Sequence, residues 1–256
     1  MSNIRRINVL GVGVHDVNLD QSLGEIESAI AAGNKGYVCA TGVHGVMEAQ
    51  KDAQLKSIFN RSLVTTPDGR PTVWVGRLQG SRTMDQLTGP NLMLSVCELS
   101  AKLGYTNFFY GGNTGVADEL KQNLCRRFPG LKVVGTYTPP FRKLNSAEEA
   151  ELISTVARLK PDIFWVGLST PKQERFMAEY IHKLDTTLMM GVGAAFDMHT
   201  GRIQDSPDWI KRAGLQWAHR LAQEPRRLWK RYLINNPRFI FKIAFQLLGL
   251  TKYELI

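Results

Sequence analysis

The chain has 256 residues and a formal net charge of +9; 43% of its residues are hydrophobic and 21% are charged. This length allows one large domain or two small ones with a substantial core, and the composition is typical of globular proteins. No run approaches the ~20 consecutive apolar residues that a transmembrane helix requires. The glycine-broken apolar run at residues 7–14 predicts a strand rather than a signal peptide, so we expect a cytoplasmic protein.

Up to Gly201, short β-branched runs alternate with longer helical patterns. This alternation predicts an α/β fold, with a Rossmann-like, mostly parallel sheet flanked by helices. Predicted strands cover residues 7–12, 37–40, 63–66, 107–110, 132–136, 163–167 and 188–191. Predicted helices cover residues 23–32, 45–60, 90–103, 115–128, 147–159 and 173–183, with a capping box at Ser146 and Glu149.

After Gly201 the strand patterns stop, and three prolines divide the rest into predicted helices at residues 208–223, 226–235 and 238–250. Residues 202–256 hold eleven Lys or Arg against four Asp or Glu, a balance of +7, and three of the five tryptophans. We therefore predict an α/β catalytic domain over residues 1–201 and a basic, all-helical appendage over residues 202–256.

Ligands of open parallel sheets bind at the carboxyl ends of the strands. At one such end, Gly111, Gly112 and Asn113 would let backbone N–H groups approach a diphosphate at a helix N-terminus. The signal is weak because tight strand–helix turns need glycine anyway. The segment also lacks the Gly-x-Gly-x-x-Gly spacing of a dinucleotide fingerprint.

Asp68 lies between a proline and a glycine, directly after a predicted strand. A turn aspartate most often caps the following helix, and the pattern alone favours that role. The alternative is a general base that takes the proton from an acceptor hydroxyl, which requires a carboxylate that projects into a cleft.

Polar side chains follow other strands too. Lys172 could meet a phosphate and Gln173 could read a uracil edge or a sugar hydroxyl, although Gln173 and Glu174 also suit a first helical turn. Asp197 ends a segment of small residues, and His44 lies near a helix start, where a capping or surface role is equally open. No metal-ligand spacing and no Asp-x-Asp pair is present. Three widely spaced cysteines are expected to be buried, reduced thiols: Cys39, Cys97 and Cys125.

The appendage carries a basic cluster made of Arg226, Arg227, Lys230 and Arg231. Its four-residue spacings place the cluster on one side of a helix. The mostly apolar residues 238–250 follow, too few to span a bilayer but suited to lie in its interface. A helix packed on the core is the serious alternative, whereas a nucleic-acid patch fits poorly because nothing beside the charge reads or stacks bases. We prefer a peripheral contact with the inner face of the cell membrane.

Seven segments, taken together and in order, resemble one protein family. They are Thr-Gly-Val-His at 41–44, Thr-Pro-Asp-Gly at 66–69 with residues 71–74, Thr-Gly-Pro-Asn-Leu at 88–92, Tyr-Gly-Gly at 110–112, Gly-Leu-Ser-Thr-Pro-Lys-Gln-Glu at 167–174, Gly-Val-Gly-Ala-Ala-Phe-Asp at 191–197 and Glu-Pro-Arg-Arg at 224–227. The chain thereby resembles the WecG/TagA/CpsF bacterial glycosyltransferases over nearly its whole length.

The resemblance implies an inverting transfer, without metal or other cofactor, from a UDP-sugar to a sugar on a polyprenyl diphosphate. Such enzymes make cell-surface polysaccharides. It implies Asp68 as the base and Gln173 as a contact of the donor. Relatives also carry a threonine after the second strand, and its counterpart in this chain is Ala40 or Thr41. We accordingly place Asp68, Thr41 and His44 in the predicted catalytic set.

Seven residues form the predicted donor site: Gly111, Gly112, Asn113, Lys172, Gln173, Glu174 and Asp197. The predicted phosphate and lipid-acceptor contacts are Gln86, Arg226, Arg227, Lys230 and Arg231. Gln86 stands where relatives commonly carry an arginine thought to face the diphosphate, and Arg77 and Arg82 lie nearby as substitutes. The predicted partners are the donor, the lipid-linked acceptor, the membrane surface and a second copy of the chain, but no nucleic acid. The alternatives are another Rossmann-type nucleotide-sugar enzyme and a non-catalytic membrane-binding module.

Overall fold

The computed structural model describes residues 4–255, except for the side chains of Asp208 and Arg212. The outermost residues of the two predicted domains, 1–3 and 256, lie outside the described residues. The strands are β1 (Arg6–Val9), β2 (Val12–His15), β3 (Gly36–Thr41), β4 (Val64–Pro67), β5 (Thr106–Gly111), β6 (Lys132–Tyr137), β7 (Ile163–Gly167) and β8 (Leu188–Gly191). The helices are α1 (Leu19–Ala31), α2 (Val43–Ala49), α3 (Ala53–Arg61), α4 (Arg70–Leu78), α5 (Gly89–Leu103), α6 (Val116–Arg127), α7 (Ser146–Leu159), α8 (Lys172–Tyr180), α9 (Ala195–His199), α10 (Asp208–Arg212), α11 (Gln216–Gln223), α12 (Pro225–Trp229) and α13 (Asn235–Leu247).

Strands β3 to β8 form one sheet in the order β4-β3-β8-β7-β5-β6, and every neighbouring pair is parallel. Side chains alternate between its two faces, so Phe164 packs in one hydrophobic cluster and Trp165 in the other. Helices cover both faces, as the apolar strands of a parallel sheet require. The predicted α/β fold is confirmed, and the carboxyl ends of the six strands lie along one edge.

The N-terminal segment differs from the prediction, because residues 7–12 do not form one strand of the main sheet. They belong to an antiparallel hairpin of β1 and β2 that turns at Leu10 and Gly11, both with positive φ. A two-residue turn with two positive φ values matches the twist of a hairpin. The ring of His15 joins the hairpin to β4, since its Nδ1 accepts a hydrogen bond from the backbone N–H of Thr65 at 2.9 Å.

Local capping explains the differences among the helices. The predicted helix over 45–60 is two helices, because the Asp52 side chain accepts from the Leu55 N–H and starts α3. Asn18 forms a capping box that begins α1 four residues before the predicted start. The capping box of α7 uses Asn145 and Glu148, each one residue before the predicted pair. The short helix α9 was absent from the predicted set, and α4 was expected only as the helix that follows Asp68.

The last two predicted helices form one continuous run that Pro237 does not divide, whereas Pro225 does begin a new helix after α11, as predicted. Helix α12 passes through a π-helical turn, Lys230–Ile234, directly into α13. Pro237 lies in the first turn of α13, just after the π-helical turn. A proline ring clashes with the carbonyl four residues earlier, and a π turn is one of the ways in which a helix absorbs that clash. The predicted helix over 208–223, by contrast, is two separate helices, α10 and α11.

Helix α13 has one packed face and one exposed face. Phe239 and Ile243 are buried in the core, and the Gln246 side chain pairs with the hairpin through the Leu10 N–H (2.9 Å) and the Asn8 carbonyl (2.7 Å). The exposed face carries large apolar side chains: Ile240, Phe241, Phe245 and Leu248. Core packing, the alternative weighed above, therefore accounts for one side of this helix only. No helix within residues 4–255 is long and apolar enough to cross a membrane.

A candidate active site between the sheet and the C-terminal helices

A cavity of about 430 Å³ lies at the carboxyl ends of β3, β4, β7 and β8. The loops after these strands form its floor, and residues of α11, α12 and the π-helical turn complete its wall. Polar side chains from both sides line it, among them His44, Asp68, Arg70, Thr170, Gln173, Asp205, Gln216, Arg220, Arg227 and Arg231. Five of the predicted site residues thus lie around one cavity.

Asp68 follows β4 and does not cap α4, whose N-cap is Gly69 without a side-chain hydrogen bond. Its Oδ1 accepts from the Gly89 N–H at 3.0 Å, which fixes the carboxylate at the start of α5. The Oδ2 atom has no hydrogen bond to any described residue. Burial raises the pKa of Asp68, while the Gly89 hydrogen bond and the charges of Arg231 and Arg220 oppose this rise. The structure therefore favours a cleft carboxylate over the helix cap.

Four arginines line the cavity, and three of them have unsatisfied donors. The Nε atoms of Arg70, Arg220 and Arg231 are buried without a hydrogen-bond partner in the described structure. Glu224 accepts from Arg220 at 3.1 Å and from Arg227 at 2.6 Å, so one carboxylate is shared by two guanidinium groups. Burial lowers the pKa of Arg231. Buried donors without partners are costly, and an anionic ligand would satisfy them.

The basic cluster of the appendage divides between two faces. Arg227 and Arg231 line the cavity, whereas Arg226 and Lys230 are exposed and do not. The four-residue spacing pairs the residues as predicted, and the two pairs lie on adjacent sides of the helix, about 100° apart. Only the first pair is placed to meet a phosphate group within the cavity.

His44 and Thr41 lie at the end of β3. Burial, followed by the charge of Arg231, lowers the pKa of His44 to about 4, so its ring is neutral at pH 7. The His44 Nδ1 and the Thr41 Oγ1 are both buried and have no partner among the described side chains and backbone groups. Thr41 does not line the cavity, whereas His44 does. His44 is therefore the better placed of the two for contact with a ligand.

Gln173 lines the cavity, but its side-chain amide is largely engaged. Its Oε1 accepts from the Gly193 N–H at 2.9 Å, and its Nε2 donates to Glu174 Oε1 at 3.0 Å. Glu174 is fully buried and lies outside the cavity lining. The predicted direct contact between Glu174 and the donor therefore does not fit its position.

Several predicted donor residues lie elsewhere on the same edge of the sheet. Gly111 ends β5, which lies beyond β7, and Gly112 and Asn113 follow it; none of the three lines the cavity. Lys172 is exposed at the start of α8. Asp197 is half-buried beside the cavity, and burial raises its pKa against the charges of nearby arginines. A donor that contacts all of these residues would have to extend beyond the cavity toward β5.

Gln86 links two segments beside the cavity and does not line the cavity itself. Its Nε2 donates to the Asp68 carbonyl at 3.2 Å and to Gln216 Oε1 at 2.6 Å, so it joins the loop of Asp68 to helix α11. Arg77 and Arg82 are exposed and do not line the cavity. Arg70 does line the cavity. It was overlooked in the sequence, although it directly follows the Pro-Asp-Gly segment.

Arg220 was also overlooked, and no sequence pattern marked it, because only the position of α11 over the strand-end loops brings it to the cavity. The three cysteines are free; two are buried and Cys125 is half-buried. Among the described residues no group of three or more His, Cys, Asp or Glu side chains could hold a metal ion.

Known proteins resemble this chain over both the sheet and the C-terminal helices. The family model described as the glycosyl transferase WecG/TagA/CpsF family matches residues 7–253. Three relatives are each named N-acetylglucosaminyldiphosphoundecaprenol N-acetyl-beta-D-mannosaminyltransferase. The Bacillus spizizenii protein is 26% identical over 226 residues, which cover 88% of this chain and 85% of the relative. The Bacillus subtilis protein is 28% identical over 196 residues (76% and 73%), and a Staphylococcus aureus protein is 22% identical over 247 residues (95% and 94%). The chain therefore belongs to the WecG/TagA/CpsF family and is a glycosyltransferase.

Proposed function

We propose that this protein transfers a hexose or N-acetylhexosamine from a UDP-sugar to a sugar on a polyprenyl diphosphate, with inversion at the anomeric carbon. The names of the three relatives make N-acetylmannosamine the first donor sugar to test and N-acetylglucosamine the first acceptor sugar. The observation that carries the proposal is the carboxylate of Asp68, held at the strand ends in a cavity that four arginines also line.

The position of Asp68 supports a role as the general base. Oδ1 is held by the Gly89 N–H, which leaves Oδ2 to take a proton. In the proposed step the acceptor hydroxyl attacks the anomeric carbon and gives its proton to Asp68. The bond from that carbon to the UDP oxygen breaks, and UDP leaves with the electron pair. Because burial raises the pKa of Asp68, the carboxylate is a stronger base than a solvated aspartate.

The arginines suit the charge that develops on the leaving group. A guanidinium offers several donors in a planar fork that matches phosphate oxygens. Arg70 approaches from the sheet side and Arg231 from the π-helical turn, so donors surround the cavity. Such pre-positioned donors stabilise a transition state more than the same groups in water.

The exposed face of α13 supports membrane contact by the appendage. Phe241 is 67% exposed and Leu248 is 72% exposed, and Arg226 and Lys230 lie exposed on the preceding run. Apolar side chains flanked by lysine and arginine are typical of a helix that lies in the interface of an anionic membrane. We propose that residues 202–256 bring the cavity to the lipid-linked acceptor, at the inner face of the cell membrane.

The test is a transfer assay with a panel of UDP-sugars and a short-chain prenyl diphosphate that carries N-acetylglucosamine. We expect UDP-N-acetylmannosamine to support turnover, and Asp68→Asn to lower kcat by about 100-fold or more while it keeps UDP affinity. The matched control is Asp185→Asn, which removes an exposed carboxylate paired with Lys160. Turnover by Asp68→Asn at the wild-type rate would exclude Asp68 as the base. Failure of every UDP-sugar would refute the proposed donor class.

A further inference from the structure

Glu174 is a buried carboxylate that no contact with substrate explains. It lies in the first turn of α8 and is 0% exposed. Its Oε1 accepts two hydrogen bonds, from Thr170 Oγ1 at 2.8 Å and from Gln173 Nε2 at 3.0 Å. Its Oε2 is buried without a partner in the described structure.

Glu174 lies at the centre of a network that joins two walls of the cavity. Thr170 belongs to the turn after β7, and Gly193 belongs to the loop after β8. Gln173 connects them, because its Oε1 accepts from the Gly193 N–H while its Nε2 donates to Glu174. The carboxylate therefore decides which way the amide of Gln173 points. A carboxylate accepts only, so the amide nitrogen must face Glu174 and the amide oxygen must face Gly193.

Stability alone does not account for this arrangement. A buried carboxylate with one unsatisfied oxygen costs free energy, and an apolar side chain of similar size often serves a fold as well or better. Burial raises the pKa of Glu174, against the hydrogen bonds that favour its charged form. Groups of this kind are retained where a precise geometry is needed.

We propose that Glu174 is a positioning residue that acts on the donor sugar only through Gln173. The carboxylate fixes the orientation of the Gln173 amide, whose second N–H is left for a ligand in the cavity. Through Gln173 it also holds the Gly193 loop, whose N–H donates to Gln173 Oε1. This inference rests on the proposed function, with the UDP-sugar in the cavity that Gln173 lines.

The experiment is a double-mutant cycle on Glu174 and Gln173. Glu174→Leu, Gln173→Ala and the double variant are compared in transfer kinetics, at a temperature at which all of them are folded. We expect each single variant to lower kcat/KM for the donor by about tenfold or more. We expect the double variant to be no worse than Gln173→Ala. Glu174→Gln keeps an acceptor oxygen and should recover most of the activity. Glu179→Gln, on the exposed side of the same helix, is the control.

Two outcomes would overturn the inference. Losses that multiply in the double variant would mean that Glu174 acts independently of Gln173, and wild-type kcat/KM in Glu174→Leu would mean that it positions nothing. A second measurement does not depend on the donor at all. Hydrogen exchange of the Gly193 amide should accelerate at least about tenfold in Glu174→Leu but not in Glu174→Gln. Unchanged exchange refutes the network, whereas accelerated exchange without any UDP-sugar turnover leaves it intact and refutes the proposed function.

Discussion

Arg231→Met separates the binding of a diphosphate from the stability of the fold. The guanidinium of Arg231 lines the cavity, its Nε is buried without a partner, and its charge acts on Asp68. Methionine keeps much of the side-chain length but removes the charge and all donors. Loss of one pre-positioned donor to a developing anion typically costs 100-fold to 1,000-fold in rate, or about 2.7–4 kcal/mol.

The free energy of unfolding should respond very differently. Replacing a buried cation by an apolar side chain is often neutral or stabilising, and the cation–π contact of Arg231 with Tyr232 is worth roughly 0.5–1 kcal/mol at a partly exposed site. We therefore expect a change of less than about 1 kcal/mol in unfolding free energy. A variant with normal stability and a 100-fold lower kcat/KM would show that Arg231 is kept for its ligand.

The dependence of the transfer rate on pH provides a second test of Arg231. Arg231 holds the pKa of Asp68 down against the effect of burial, so its removal raises that pKa further. Since a general base works only when deprotonated, activity in Arg231→Met should fall at a higher pH than in the wild type. Neutralising a residue whose charge does not act on Asp68 would leave the acid limb of the pH–rate profile at its wild-type pH.

The assay uses a short-chain, water-soluble prenyl diphosphate acceptor, so that membrane contact is not required. Lys230→Met is the matched control, because Lys230 is the neighbouring cation and is exposed. We expect it to leave kcat/KM within about threefold and to weaken binding to anionic vesicles. Equal losses in the two variants, or wild-type kcat/KM in Arg231→Met, would refute the division of the basic cluster.

Three further predictions concern the rest of the molecule. Phe241→Ser should weaken binding to anionic vesicles by about tenfold or more, at unchanged Tm, because the ring is exposed; equal vesicle affinity would contradict the proposed membrane face. His15, with a pKa lowered to about 3 mainly by burial, stays neutral while its unfolded form protonates below about 6.5, so stability is lost as pH falls through that window. His15→Asn should reduce the pH slope of the unfolding free energy by up to about 1.4 kcal/mol per pH unit, measured by urea denaturation; an unchanged slope would exclude His15 as its source. Gly111→Ala should destabilise the fold by about 2 kcal/mol or more, because Gly111 has φ +135° and an added Cβ would lie 2.6 Å from the Gly167 carbonyl oxygen; a Tm equal to that of the wild type would contradict this.

The main sheet could be predicted from the sequence because its strands are short, β-branched and bounded by loops of ordinary length. The seven predicted strands include all six strands of the parallel sheet, with ends that differ by one residue at most. The first strand could not be predicted correctly, since an apolar run of this length fits a hairpin equally well. The positive φ of Leu10 forms the hairpin turn, and leucine gives no sequence signal for a positive φ.

The candidate site was only partly predictable, and the reason is that it is built from distant segments. The Pro-Asp-Gly segment pointed to Asp68, and the strand–helix turn after β7 pointed to Gln173. Arg220 lies in a helix with no distinguishing pattern, and only the tertiary fold brings it to the cavity that Asp68 lines. Gln86 shows the same limit, because its link to Gln216 joins residues 130 positions apart in the sequence.

On the proposed function, a single helical run would determine how deep in the membrane the reaction takes place. Arg231 points into the cavity from the π-helical turn, and Phe241 lies exposed ten positions later, about 15 Å along a helix. The packed face of the same run fixes both, because Phe239 is buried in the core and Gln246 is tied to the hairpin. An interfacial helix inserts its apolar face roughly 5–10 Å into the headgroup and acyl boundary. With Phe241 at that depth, Arg231 and Asp68 would be held at the level where a lipid-linked diphosphate emerges from the membrane. The rigid attachment of α13 to the core is then as important to catalysis as its exposed apolar face.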